Sequence, residues 1–195
     1  QLQEIGRFNR QGPVLLDGPG SHQESVGSRA ELFAAKLGFD SRLVADIRTA
    51  GLHHDDGKKD PRFQTLLRYR MPNVPAEPLA KSMYRSSSWE RAKRIELRLD
   101  GWRHEQRSAA ECWALDSESL QAHDKELVTR LAGTSHGHGR SMFPMNAQQV
   151  IPDAIIQTVS EENGDGSQTI HAIRSAAEEL FDAGSVSYTH LTLPT

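Results

Sequence analysis

The sequence predicts an all-α fold, and three observations carry that prediction. Apolar residues recur at the three-and-four spacing of a helix face in several separate segments. Glycines follow two of those runs directly, Gly38 after Leu37 and Gly133 after Ala132, as helix stops do. Alternating strand–helix units, internal repeats and the G-x-x-x-x-G-K phosphate loop are all missing.

The elements follow in order. Residues 1–20 are rich in Gly, Gln and Pro and read as a linker. From Gln23 to Leu37, the spacing of Val26, Ala30, Phe33, Ala34 and Leu37 predicts one inward helix face. Asp40 or Ser41 caps a second helix, with Leu43, Val44, Ile47 and Gly51 on one side. That helix runs into His53-His54-Asp55-Asp56-Gly57. Residues 60–67 suit a short helix holding Phe63, Leu66 and Leu67. Pro72, Pro75, Pro78 and Ser86–Ser88 make 68–88 a long polar excursion. Alternation of Ile95, Leu97 and Leu99 suggests a strand or hairpin. Helices are expected from His104 to Leu115 and from Leu120 to Ala132, with Leu127, Val128 and Leu131 inward. Gly164–Gln168 reads as a loop before a last helix, Thr169–Phe181, whose face is Ile170, Ile173, Ala177, Leu180 and Phe181.

Composition narrows the class. The chain has 195 residues, 36% of them hydrophobic, which is enough for one domain with a core. Mean hydropathy is −0.60. No apolar run approaches the roughly 18 residues of a membrane span, so no membrane partner is expected. A single cysteine, Cys112, excludes an internal disulfide and fits a cytoplasmic setting. The formal charge of −3 hides an uneven distribution. Lys58–Arg107 holds 13 Lys/Arg against 6 Asp/Glu, while Pro152–Ser185 holds 7 acids and one Arg174. The start at Gln1 and the uncharged, aperiodic stretch 186–195 lead us to expect a fragment; Val186–Thr195 resembles one translated frame of a transposon-end sequencing adapter.

Nine histidines are the main chemical signal. Four stand at expected helix ends: His22, His54, His104 and His136. Imidazole with carboxylate is a ligand set for divalent metals, and helix ends can aim such groups into one pocket. His123-Asp124 is a second His-Asp pair, but at a helix start its Asp reads as a cap.

Ala50-Gly-Leu-His-His-Asp-Asp-Gly-Lys-Lys-Asp-Pro-Arg-Phe-Gln64 resembles the H-D-x-G-K…F-Q signature of the HD nuclease domain of CRISPR type I helicase–nucleases. Supporting segments occur in order: His22 with its helix, Arg103-His104-Glu105…Ser108-Ala109, and Leu131-Ala-Gly-Thr-Ser-His-Gly-His-Gly-Arg140. Leu79-Ala-Lys-Ser82 and Asp60–Gln64 are closest to the subtype with the HD domain after the helicase. The resemblance implies an HD-superfamily helical domain over 21–185, truncated at its C-terminus, with a long basic loop insertion. Residues 1–20 would link it to an upstream helicase. It implies two divalent metal ions (Mn, Mg, Ni, Fe or Co). His22, His54 and Asp55 would hold the first, and Asp55, His104 and His136 the second. Lys58 would steady the scissile phosphate. Ser135 stands where the family has the first of two adjacent histidines, and His138 is a further candidate ligand. The family's closing Asp has no counterpart in a matching context; Asp153 and Asp182 read as exposed acids.

Lys81–Arg107 interleaves 8 Lys/Arg with Tyr84, Trp89 and Trp102, as a single-stranded DNA track would. Arg62, Tyr84, Trp89, Arg91, Lys93, Arg94 and Arg140 are the candidate DNA contacts. Trp102 and the individual charges have an equally good reading as core and solvated surface. The expected function is metal-dependent cleavage of single-stranded DNA in CRISPR interference, with a helicase domain and an RNA-guided surveillance complex as partners. The alternatives are an HD phosphohydrolase acting on nucleotides or cyclic dinucleotides, and a nucleic-acid-binding module with a degenerate metal site.

Overall fold

The computed structural model describes residues 12–69, 71, 73–82, 88–136, 143, 145–162 and 164–189. The fold is all-α apart from one small ribbon. In that ribbon β1 (Val14–Leu15) pairs antiparallel with β2 (Leu79–Lys81), Val14 opposite Lys81 and Leu15 opposite Leu79. Residues 14–16, within the segment read as a linker, therefore join the folded body, with Leu16 fully buried. The proline-rich excursion supplies the other strand.

Helix α1 (His22–Lys36) is capped by the Ser21 hydroxyl, which accepts from the Glu24 N–H. Helix α2 (Ser41–His53) is capped by Asp40. The two cross at Gly27 and Gly51, where an added Cβ would meet the facing helix at 2.9 Å. Only glycine allows that approach. The crossing also corrects the expected α1 face. The buried residues are Gln23, Gly27 and Ala34, while Phe33 and Leu37 remain 64% and 72% exposed. Contact through Gly27 and Ala34 leaves the Phe33 and Leu37 side of the last turn in solvent. On α2 the buried strip is Asp46, Thr49, Ala50 and Gly51, one step round from the expected one.

A 3₁₀ turn (Asp56–Lys59) leads to α3 (Pro61–Arg68), which opens with Pro at its first position and Asp60 as cap. Phe63 and Leu66 face inward as expected. The suggested strand over 95–99 is instead the end of a helix, α4 (Ser88–Glu96). Lys93 pairs with Glu96 and Arg94 with Glu90 along its surface. Its end is a left-handed stop: Arg98 has φ +56°, its N–H donates to the Ile95 carbonyl, and the Leu99 N–H reaches back to the Arg94 carbonyl at 2.7 Å. Local charge pairs and this cap outweigh a three-residue alternation.

Helix α5 (His104–Ala114) is the central rod, buried from Glu105 to Ala110 and again at Cys112. The expected helix over 120–132 is broken. Helix α6 (Ser117–Leu120) ends at Gln121, φ +57°, and α7 (Lys125–Gly133) starts afresh on the Asp124 cap. Val128 is fully buried; Leu127 and Leu131 are half-buried. The Asp46 carboxylate accepts from the N–H groups of His123 and Asp124, which anchors this junction to α2. Two further elements have no counterpart among the expected ones, α8 (Ala147–Val150), closed by an Asn146/Gln149 capping box, and α9 (Asp153–Glu162). The expected loop 164–168 is the first turn of α10 (Gly164–Thr189), which continues into the adapter-like segment. Its inward residues are Ile170, Ile173, Ala176 and Ala177.

Among the described residues the core forms three clusters, two of which include α5. Ala110 joins Val150, Ile151, Ile155, Ile170 and Ile173. Cys112 joins Ala50, Leu120, Val128 and Ala132. Phe63, Leu66, Leu99 and Trp102 form the third. Among the described residues no helix is long and apolar enough to cross a membrane.

Candidate metal centre

Asp55 stands just before the 3₁₀ turn, fully buried, and four imidazoles converge on its carboxylate. His22, the first residue of α1, places Nε2 3.3 Å from Oδ2. His54, the C-cap of α2, places Nε2 3.3 Å from the same oxygen. His104, the first residue of α5, brings Nε2 to 3.1 Å from Oδ1. His136, just after α7, brings Nε2 to 3.8 Å from Oδ1. The site is thus built from the ends of four helices. Each carboxylate oxygen faces its own pair of histidines, and Asp55 is common to both.

The donor set has the chemistry of a cation site. His22, His54 and Asp55 form one group that could hold a metal ion, and Asp55, His104 and His136 form another, with donor atoms within 4.8 Å of one another in each. The His54 Nδ1 is 2.7 Å from the Gly51 carbonyl, so it carries the proton and leaves Nε2 free to ligate. The Nε2 atoms of His104 and His136 face each other at 2.8 Å. Asp55 Oδ1 is buried and, among the described residues, has no hydrogen-bond donor. A buried oxygen without a donor, flanked by two imidazole nitrogens, is satisfied by a cation.

Electrostatics agree. Burial would raise the Asp55 pKa, but the facing imidazoles of His104, His136, His22 and His54 outweigh it and hold the carboxylate far below its usual range. Burial, reinforced by the charge on Lys58, lowers the His104 pKa despite Asp55, which favours the neutral, ligating ring.

Supporting contacts set the spacing. The Gly57 N–H donates to Ser108 Oγ at 2.9 Å, and Ser108 in turn donates to the His104 carbonyl. A Cβ on Gly57 would lie 2.0 Å from that carbonyl oxygen, so glycine is required for the turn to seat on α5. Gln23 donates to Asp56 Oδ1 at 2.9 Å, tying the start of α1 to the turn. Asp56 also meets His53 Nδ1 at 2.6 Å and Lys59 at 2.9 Å. Sequence reasoning missed these positioning roles. The i,i+3 spacing of His53 and Asp56 was a local signal for one of them; the Gln23–Asp56 contact spans 33 residues and had none.

The remaining candidates are placed as follows. Lys58 is buried, with Nζ 2.5 Å from Asp55 Oδ2. Arg62 binds the Asp60 carboxylate and lies over the Trp102 ring, 5.2 Å from its centroid. Gln64 donates to the carbonyls of Lys58 and Leu79 and accepts from the Leu79 N–H, joining the turn to β2. Phe63 packs on His104 at 5.4 Å. Arg91 is exposed on α4. Lys93 lies over Tyr69 and Arg94 over Phe63. Trp102 is a core residue whose indole N–H donates to the Val150 carbonyl, which decides between its two readings. Trp89 belongs to α4, with its side chain outside the described residues, and Tyr84, His138 and Arg140 also lie outside them. Ser135 is exposed, as are Asp153 and Asp182. Comparison with protein-family models, curated proteins and solved structures found no match to this chain.

Proposed function

We propose that this chain is a metal-dependent phosphodiesterase of the HD nuclease type that cleaves single-stranded DNA. The observation that carries the reading is the shared carboxylate, Asp55, with one histidine pair on each oxygen. Two divalent cations bound there would lower the pKa of a water and neutralise charge on a phosphodiester. Two imidazoles and one carboxylate oxygen in each half suit Mn, Fe, Co or Ni better than Mg. Asp55 would be shared by the pair, and the four histidines around it would fix the approach of the phosphate. Lys58 would supply a further positive charge to the scissile group.

Arg91, exposed on α4 where Lys93 and Arg94 are paired with Glu96 and Glu90, supports a nucleic-acid substrate. In the parent protein an upstream helicase would feed the strand, and an RNA-guided CRISPR surveillance complex would recruit it. Those partners rest on the sequence resemblance.

The test is a manganese-supplemented assay on single-stranded DNA and, separately, on nucleotides and cyclic dinucleotides. The expected result is DNA cleavage that chelator and Asp55→Ala both abolish. Turnover of nucleotides alone would replace this reading with a phosphohydrolase. DNA binding without metal-dependent cleavage would replace it with a binding module.

A further inference from the structure

The two halves of the centre have the same donors, two imidazole nitrogens and one Asp55 oxygen. Lys58 touches only one of them. Its Nζ lies 2.5 Å from Oδ2, the oxygen that faces His22 and His54. Oδ1, which faces His104 and His136, is buried and has no hydrogen-bond donor among the described residues. The protein has therefore set a cation of its own in contact with one oxygen and not with the other.

We propose that Lys58 is a resident counter-cation that makes the two halves load unequally. This rests on the two-cation reading above. A divalent ion entering between His104, His136 and Oδ1 meets an unsatisfied buried oxygen. One entering between His22, His54 and Oδ2 competes with an ammonium already hydrogen-bonded there, and like charges at that range repel strongly where water is excluded. The His104 half fills first and more tightly. The His22 half fills second, and its filling displaces Lys58 from Oδ2. Lys58 holds Asp55 in place before loading and is released as loading completes, which frees its charge for an incoming phosphate. It is a positioning residue for the metals.

The experiment titrates the full, chelator-stripped chain with Co²⁺ alone, followed by calorimetry and visible absorption. Two steps are expected. His104→Ala removes the tight step and His22→Ala removes the weak one. Lys58→Met keeps the side-chain length without the charge and tightens the weak step at least about tenfold, the scale on which outer partners act on metal affinity. Lys58→Arg keeps the charge and keeps the steps apart. Circular dichroism checks that each variant retains its helix. Two equal steps in the native chain, or a tight step lost in His22→Ala instead, overturn the proposal and leave the two-metal reading standing. So does a weak step that Lys58→Met leaves unmoved. Failure of the native chain to take up Co²⁺ overturns both.

Discussion

The two halves of the candidate metal centre have the same donors and different surroundings. The His22/His54 half is held by two helices that cross in glycine-to-glycine contact at Gly27 and Gly51. His54 is locked through Nδ1 to Gly51, and Lys58 neutralises the oxygen between the histidines. The His104/His136 half has one ligand at the start of the buried rod α5 and one, His136, that is 46% exposed beyond the end of α7. Its oxygen faces the two imidazoles and has no further donor among the described residues. The first half is preassembled and charge-balanced; the second is open and charge-hungry. A ligand inventory would rank them equal, whereas the surrounding contacts rank them.

The largest expected effect erases the comparison. Asp55→Ala removes both oxygens, so both Co²⁺ steps should vanish and DNA cleavage with them. The loss should exceed the roughly 10–100-fold cost of removing an outer partner. Lys58 is then left buried without its carboxylate, and breaking a buried pair costs about 3–5 kcal/mol. Urea unfolding of the metal-free variant measures that cost. A variant that still binds two equivalents of Co²⁺ would show that Asp55 does not bridge.

Gly57→Ala should separate the halves. The new methyl would overlap the His104 carbonyl, and overpacking of this kind costs about 1–3 kcal/mol or more. Relief requires α5 to move away from the turn, which carries His104 away from Oδ1. The tight Co²⁺ step should be lost while the weak one persists, and the melting temperature should fall. Gln23→Ala should do the reverse, and more gently. It removes the hydrogen bond that seats the start of α1 on Asp56, so His22 loses its registration. The weak step should weaken further, by about tenfold, with the tight step in place.

The residues that make this comparison possible were unequally legible in the sequence. His22, His54, His104 and His136 stood out at expected helix ends, which are local signals, and the resemblance to the HD signature grouped them with Asp55 as ligands. The helices themselves were legible wherever the apolar spacing ran three turns or more, as in α1, α2, α5 and α10. Short breaks were not. Gln121 and Arg98 adopt left-handed backbone without being glycine, so nothing in the residue type marks the end of α6 or α4. The ribbon was invisible for another reason: Val14–Leu15 is a strand only because Leu79–Lys81 lies beside it. Lys58 on Oδ2 and Gln23 on Asp56 belong to the same class. Each follows from where buried groups end up, and burial is decided by the whole packing.

Asp60 gives the mildest test, because it should change the frame and leave the ranking alone. Its carboxylate is fully buried, caps α3, and binds Arg62 at 2.8 Å and Arg107 at 2.7 Å. Burial would raise its pKa, but Arg62 and Arg107 outweigh that and hold it below its ordinary value of 3.8. A carboxylate lowered on folding contributes stability that is complete above its unfolded pKa. That contribution is lost as pH falls through the folded value. Asp60→Asn should therefore be less stable than the native chain at neutral pH and converge on it in acid. The neutral-pH cost should sit near the low end of about 3–5 kcal/mol, since Arg107 keeps Glu111 at 2.8 Å. Urea midpoints from about pH 7 to about pH 3 measure the convergence. Asp60 touches neither histidine pair, so the separation of the two Co²⁺ steps should be unchanged. A merged pair of steps in Asp60→Asn would mean that the inequality comes from the packing of the turn and not from the charge on Lys58.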